Sequence, residues 1–282
     1  MSETKPNFTI RRMMRSDLHY AFAWSVTEGW NIGLHDHDVF FATDPNGFFI
    51  GELDGAPVGC VSGVAYSANF GFIGIYIVAE KFRGQGYGLP LFRAALDYLG
   101  ERTIGLDGVV AQQANYQRSG FRTLYRNRRY EGVGGGEISP DCVPLAAIPF
   151  EKLDAYDRRH FPAPRPQFLR GWIAQPDSVA LGVLQNGRLA GYGVIRRMVN
   201  GSLIAPLFAD NETIAETLFQ SLAAQRPGEP ILLDAPEINP LAIALAERRG
   251  MTPVFETARM IVGPEPALPY SEIFGVTSYE LG

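Results

Sequence analysis

Three glycines within five residues form the part of this sequence that is best suited to bind a ligand. Gly84, Gly86 and Gly88 follow Arg83 directly. Because glycine has no Cβ, such a backbone can approach a ligand closely. Free N–H groups at the start of a helix also attract anions. Arg83 adds a fixed positive charge with a fork of donors. The segment, here called the glycine loop (residues 83–88), therefore predicts a pyrophosphate site.

The residues on either side place the glycine loop between a strand and a helix. Residues 70–78 are apolar and rich in aromatic side chains, which is typical of a buried strand. Between Leu89 and Leu99 the apolar residues recur at helical spacing. Pro90 fits the first turn of that helix, and Gly100 fits its end. A ligand would thus lie where the strand ends and the helix begins.

The glycine loop by itself leaves other ligands open. A Walker loop would close with Gly-Lys-Ser/Thr, and none is present. A Rossmann dinucleotide site fits Gly84-Gln85-Gly86 and Asp107, which follows roughly 20 residues on. However, Leu89 stands at the third glycine position, and Arg83 lies inside the loop. A glycine-rich turn without any ligand is a further alternative.

Composition restricts the class of protein. The 282 residues are long enough for one large domain or two ordinary ones. A net charge of −5 argues against nucleic acid and favours a cationic substrate. We find no signal-peptide pattern and no long apolar run, so we expect neither export nor membrane insertion. Cys60 and Cys142 show no metal spacing and are interpreted as reduced thiols of a cytoplasmic protein.

The first half reads as strand, two helices, three strands, helix, strand, helix and strand. This order is inferred from the spacing of apolar residues and from the turn residues between the segments. Ser16 is the expected cap of the first helix. The predicted strands are 8–11, 48–53, 57–61, 70–78, 103–107 and 121–130, and the predicted helices include 16–28, 89–99 and 112–119.

This order and two motifs resemble the GNAT superfamily of N-acetyltransferases. Arg83-x-x-Gly86-x-Gly88 resembles the family's coenzyme A signature. Tyr116-x-x-x-Gly120-Phe121 resembles its Tyr-x-x-x-Gly-Phe segment. The resemblance implies an α+β fold in which a mostly antiparallel, twisted sheet is flanked by helices.

The resemblance also implies a mechanism in which an amine attacks the thioester of acetyl-CoA directly, without a metal. Tyr116 would protonate the departing thiolate, and a carboxylate or water would take the proton of the amine. Many relatives carry that carboxylate on the fourth strand, but residues 72–76 contain no acid here. The residues expected to bind acetyl-CoA are Ile77, Val78, Arg83, Gly84, Gln85, Gly86, Tyr87, Gly88 and Asn115.

The segment 28–38 is the predicted acceptor site, because it places acids and a tryptophan among glycines. A cationic amine would gain both charge pairing and an aromatic face there. A plain connection between helices is the alternative. His35 and His37 could bind a metal, but no third ligand stands at a helpful spacing. The predicted substrate-binding residues are Glu28, Trp30, Asn31 and Asp36, and Glu28 is also the candidate base.

The second half repeats the order of the first. The segment 183–191 mirrors 52–59, Leu233-Asp234 mirrors Leu106-Asp107, and the helix end at 247–251 mirrors 117–121. We interpret the chain as two tandem GNAT-like domains, 1–137 and 138–282. Two unrelated α+β domains are the alternative.

The second copy lacks the residues that carry the chemistry. Its loop at the corresponding place is Ala209-Asp210-Asn211, and the carboxylate of Asp210 would repel phosphate. Ala246 stands at the Tyr116 position. We therefore expect this half to shape the acceptor pocket, with the proline-rich segment around Arg165 reaching across a cleft between the halves. We also expect residues 270–282 to dock on the body.

These observations predict an acetyl-CoA-dependent N-acetyltransferase with one site, in the first half. Its acceptor would be a small-molecule or peptide amine, with no nucleic acid or membrane as partner. The alternative is a non-catalytic protein that senses acyl-CoA by moving one half against the other. The sequence names neither the acceptor nor the oligomeric state.

Overall fold

A computed structural model describes residues 7–282. Within this range, thirteen strands form a single sheet that carries eight α-helices. The strands are β1 Phe8–Arg12, β2 Phe48–Leu53, β3 Ala56–Ala65, β4 Phe70–Val78, β5 Thr103–Val109, β6 Arg122–Val133, β7 Cys142–Pro144, β8 Val179–Gln185, β9 Arg188–Arg197, β10 Ser202–Ala209, β11 Pro230–Pro236, β12 Thr252–Val262 and β13 Ile273–Gly275. The helices are α1 Leu18–Thr27, α2 Asp36–Thr43, α3 Gly88–Leu99, α4 Gln113–Arg118, α5 Phe150–His160, α6 Pro166–Ile173, α7 Glu212–Ala223 and α8 Pro240–Arg248.

The strand order shows that the two halves share one sheet. It runs β1-β2-β3-β4-β5-β12-β6-β11-β10-β9-β8-β7, and β13 pairs with β10. Only β4–β5 and β10–β11 are parallel pairs among the described strands. The predicted mixed fold, a mostly antiparallel sheet flanked by helices, is confirmed. The path of twelve strands is also symmetric about its centre, so each strand on it has a counterpart in the other half, while β13 has none within residues 7–282.

At the centre of the sheet the halves exchange their last strands. β12, from the second half, lies between β5 and β6 of the first. β6, from the first half, lies between β12 and β11. Each half therefore contains a strand that comes from the other half. The predicted division into two consecutive domains at residue 137 does not include this exchange. The predicted boundary lies in the irregular segment between β6 and β7.

An ion pair fastens each exchanged strand. Arg129 on β6 donates to both carboxylate oxygens of Asp234 on β11, at 2.7 and 2.8 Å. Arg259 on β12 makes the matching pair with Asp107 on β5, at 3.0 and 2.7 Å. Both carboxylates are buried, and removing one partner of such a pair typically costs about 3–5 kcal/mol. The aspartate of each repeated Leu-Asp dipeptide therefore forms the ion pair that holds an exchanged strand.

Two local predictions about the first helices are wrong. A 3-10 turn at Arg15–Asp17 precedes α1, and the Asp17 carboxylate accepts the N–H of Met14 at 2.8 Å, so Ser16 is not the cap. The segment 28–38 is not all loop, because α2 begins at Asp36. A buried ion pair of Asp36, described below, stabilises that helix start.

Candidate active site

The two parallel strands of the first half separate partway along their length. β4 and β5 pair from Phe70 and Thr103 as far as Ile73 and Leu106. Beyond this point β4 contains a bulge, seen as a shift of its register with β3 and as a φ of 46° at Ile75. A bulge bends its strand and interrupts the ladder. The result is an open wedge between the strands, here called the first cleft.

A cavity of about 630 Å³ occupies the first cleft. Trp30 and Tyr116 line it from the first half, and so does Arg129 of the exchanged strand β6. Six residues of the second half also line it, namely Leu232, Val254, Phe255, Thr257, Tyr279 and Glu280. Both halves therefore form this site.

The glycine loop lies at the mouth of the cavity, between β4 and the start of α3. Gly84 and Gly86 have φ values of 72° and 90°, which residues with a Cβ rarely adopt. Most residues predicted to bind acetyl-CoA do line the cavity, namely Ile77, Val78, Arg83, Gly84, Gly86, Tyr87 and Gly88.

Gln85 and Asn115 are the two predicted cofactor residues that do not line the cavity. The Gln85 side chain donates to the carbonyl oxygen of Lys81 at 2.9 Å. Asn115 lies on the exposed side of α4, where it donates to Gln112 at 2.7 Å. A six-residue helix that buries Tyr116 turns the preceding residue outward, which is why the motif match does not carry over to Asn115.

Arg83 is turned toward the end of β4. Its Nε donates to the carbonyl oxygen of Val78 at 2.9 Å, and its guanidinium forms an ion pair with Glu28. Both partners line the cavity mouth. The negative charge of Glu28 is thus compensated, which makes Glu28 a weaker candidate for a base than the sequence indicates.

Tyr116 lies deep in the cavity wall, 9% exposed. Its ring packs against Phe92, with centroids 5.5 Å apart, and against Phe121 at 6.4 Å. Burial raises the pKa of its hydroxyl well above the ordinary value, with a smaller contribution from Tyr76. The hydroxyl therefore keeps its proton at neutral pH and can act as a donor.

Only part of the predicted acceptor site reaches the cavity. Trp30 and Asn31 line it, but the Asn31 side chain is engaged on both sides with the backbone of Asn200, at 2.7 and 2.9 Å. Asp36 does not line it and is only 1% exposed. Its carboxylate accepts two hydrogen bonds of 2.9 Å from Arg196. The Asp36 prediction is wrong because a buried carboxylate is stabilised by a cation, here one from β9.

In the second half, the prediction for Arg165 is wrong. Arg165 does not reach across a cleft, because it is buried and donates to both oxygens of Asp157 at 2.9 and 2.8 Å. Asp210 instead accepts from the Tyr156 hydroxyl at 2.9 Å and lies 3.4 Å from Arg188. Ala246 is fully buried in α8.

No group of His, Cys, Asp and Glu side chains within residues 7–282 has the arrangement of a metal site. His35 lies 3.9 Å from a carboxylate oxygen of Asp177, and His37 packs against Phe22 and Phe40. Cys60 and Cys142 are not bonded to each other. In the described part of the chain, no helix is long and apolar enough to cross a membrane.

Comparison with known proteins supports the tandem repeat. The model of the acetyltransferase (GNAT) family matches residues 12–121, and that of the acetyltransferase (GNAT) domain matches residues 153–275. Holothin acyltransferase of Pseudoalteromonas sp. (strain SANK 73390) is 32% identical over 92% of this chain and 89% of its own length. The chain belongs to the GNAT family of acyltransferases. Its two GNAT regions are arranged in tandem, as the repeat predicts.

Solved structures show the same fold. A candidate acetyltransferase from Pyrococcus horikoshii superposes with a TM-score of 0.84 at 22% identity, over 98% of this chain and 96% of that one. A tandem GNAT protein from the clavulanic acid biosynthesis pathway gives a TM-score of 0.62 at 12% identity, over 93% and 100%.

Proposed function

We propose that this acyltransferase moves the acetyl group of acetyl-CoA onto a primary amine in the first cleft. One observation carries the proposal: the glycine loop, which is suited to bind an anion, and the buried Tyr116 line the same cavity, where β4 and β5 separate. The loop suits a pyrophosphate, and the wedge between the strands leaves room for an extended thioester beside β4.

Each part of the cavity has a role in this proposal. The N–H groups of residues 84–88 bind the pyrophosphate together with Arg83. A backbone N–H near Ile77 and Val78 polarises the thioester carbonyl. The neutral amine attacks the carbonyl carbon, so that a C–N bond forms and the C–S bond breaks. Tyr116 then gives its proton to the departing sulfur.

The acceptor is proposed to be a small molecule or a peptide end that carries a primary amine. The Trp30 ring offers an apolar face at the cavity mouth, and Glu28 offers a negative charge once Arg83 turns to the pyrophosphate. The similarity to an enzyme named for acylating holothin supports a small-molecule acceptor.

The test combines calorimetry with a panel of amines. We expect acetyl-CoA to bind and NAD to give no heat. We also expect at least one amine among polyamines, amino acids, aminoglycosides and short peptides to release free thiol from acetyl-CoA. Propionyl-CoA and butyryl-CoA, run in parallel, measure the preference for the acyl group. Binding of acetyl-CoA without thiol release from any amine would favour the acyl-CoA sensor.

A further inference from the structure

The residues 276–282, here called the Glu280 segment, lie against the bulge of β4. A Cβ placed on Gly74 would stand only 1.8 Å from the carbonyl oxygen of Glu280, so only glycine leaves room for this contact. Gly74 belongs to the strand on which the sequence search for an acid failed. The structure thus brings an acidic residue of the second half, Glu280, against the strand of the first half that lacks one, and Glu280 also lines the cavity.

Several bonds hold the Glu280 segment in place. The Ser278 hydroxyl accepts the N–H of Glu280 at 3.1 Å and that of Leu281 at 2.9 Å. The Tyr66 hydroxyl donates to the carbonyl oxygen of Leu281 at 3.0 Å. Leu281 is fully buried. A segment fixed in this way can hold a side chain in one position, which catalysis requires.

Four acidic residues line the cavity, and their carboxylates differ in their partners. Glu28 is paired with Arg83, and Asp107 with Arg259. Glu131 is exposed on β6. Glu280 lines the cavity beside the β4 bulge, and its carboxylate has no salt-bridge partner among the described residues. Of the four, Glu280 alone is both sheltered and free to take a proton.

We infer that Glu280 is the general base that removes the proton of the acceptor amine. The inference rests on the proposed function. As the amine nitrogen bonds to the thioester carbonyl carbon, its proton passes to the Glu280 carboxylate, while Tyr116 protonates the sulfur. The proton on Glu280 then returns to Tyr116 through solvent, which restores both groups. The second half of the chain thereby supplies a catalytic residue to the site of the first.

The surroundings of Glu280 make its carboxylate more basic than an ordinary one. Burial raises the pKa of its carboxyl group, and the nearby Asp36 raises it further. Arg129 and Arg196 act in the opposite direction; Arg129 is paired with Asp234, and Arg196 is paired with Asp36 itself, so burial is the largest cause of the raised pKa. A carboxyl with a raised pKa accepts a proton more readily than an ordinary one.

The test compares Glu280→Gln with wild type and with the surface control Glu265→Gln. Thiol release from acetyl-CoA is followed across a pH series, with the best amine of the panel. We expect Glu280→Gln to lower kcat by about 10²-fold or more, while calorimetry shows nearly unchanged acetyl-CoA affinity. In wild type, kcat/KM should fall as the pH drops through the raised pKa of Glu280. This acidic limb of the pH profile should be absent from Glu280→Gln and present in Glu265→Gln.

Two further variants separate catalysis from structure. Glu280→Asp should recover part of kcat and retain an acidic limb. Ser278→Ala keeps the carboxylate but loosens it, so it should lower kcat less and also retain the limb. A thermal shift without a change in the pH profile, or a rise in KM alone, would overturn the assignment of Glu280. Wild type that binds acetyl-CoA but acetylates no amine would overturn the proposed reaction and the base with it.

Discussion

The two halves contain the same cleft in two different states. In the first half β4 and β5 separate after Ile73 and leave the cavity open. In the second half the counterparts β10 and β11 pair only from Ser202 to Ile204 and then separate as well. There the wedge is filled by β13, which bonds to β10 at Leu207 and Phe208.

The strand β13 stabilises the second cleft, and the first cleft has no such strand in the part of the chain that the structure describes. β13 satisfies backbone groups that β10 would otherwise leave unpaired, and its Phe274 is fully buried. Burying such a side chain contributes roughly 1.5–3 kcal/mol. The second cleft therefore gains stability from its own chain. The first leaves β4 backbone and cavity wall available to a ligand.

The loops after the two strands differ in the same sense. After β4 the chain carries Arg83 and left-handed glycines. After β10 it carries Asp210, whose carboxylate is held by Tyr156 and Arg188, and Asn211, which caps α7. An N-terminus capped by its own side chain has one donor fewer for an anion. The same fold thus contains the proposed ligand site in one copy and a closed, structural region in the other.

Of the changes considered, cutting the chain between the two halves should have the largest effect on folding and activity. A fragment of residues 1–140 lacks β12, so β5 and β6 lose their shared neighbour and Asp107 is left buried without Arg259. We expect no cooperative unfolding transition by circular dichroism and no thiol release. Adding the fragment 138–282 should restore both. A fragment 1–140 that acetylates amines at full rate would show that the exchange is dispensable.

Gly86→Val should abolish acetyl-CoA binding. Gly86 has φ 90°, where a β-branched residue is strained, and its N–H belongs to the proposed pyrophosphate site. The matched control is Gly187→Val in the turn between β8 and β9, which has φ 73° and equal open space. Calorimetry should show one acetyl-CoA per chain for wild type and control. Two sites per chain, or an unchanged Gly86→Val, would contradict the assignment of the first cleft.

Tyr116→Phe should lower kcat by roughly 10²–10⁴-fold with little change in acetyl-CoA affinity, because only the proton donor is lost. Since burial raises the pKa of Tyr116, wild type should show no alkaline loss of kcat at the ordinary tyrosine pKa. Tyr98→Phe, which removes a hydroxyl bonded to Asp44, serves as control and should affect stability alone. Equal turnover of Tyr116→Phe and wild type at every pH would exclude Tyr116 as the acid.

Glu28→Gln should have the smallest effect. The ion pair with Arg83 is partly exposed, and such pairs are typically worth roughly 0–1 kcal/mol. Freed from it, Arg83 should reach a pyrophosphate more easily, so acetyl-CoA affinity should rise by up to about fivefold. The KM of the amine should rise severalfold, because the acceptor loses a negative charge. If affinity and KM both equal those of wild type, Glu28 has only a structural role.

Sequence patterns were sufficient for features that depend on neighbouring residues. The glycine loop and the helix of Tyr116 follow from backbone preferences and from periodicity, which act over a few residues. The fold class follows from the family resemblance that the motifs carry. The internal repeat follows from comparing the two halves. The Asp36 prediction failed because its carboxylate pairs with Arg196, which is distant in the sequence. Asn115 does not line the cavity because it lies beside a motif residue but faces away from the site.

The tertiary structure alone decided which distant segments meet. Antiparallel pairing uses backbone groups that every strand presents, so β5 can accept β12 as readily as β6, and no local pattern distinguishes them. The filling of the second cleft by β13 and the approach of Glu280 to Gly74 depend on that choice. The sequence by itself determined the glycine loop and the tyrosine of the proposed site. Packing between the halves decided which carboxylate reaches it, because burial and pairing depend on contacts between residues far apart in the chain.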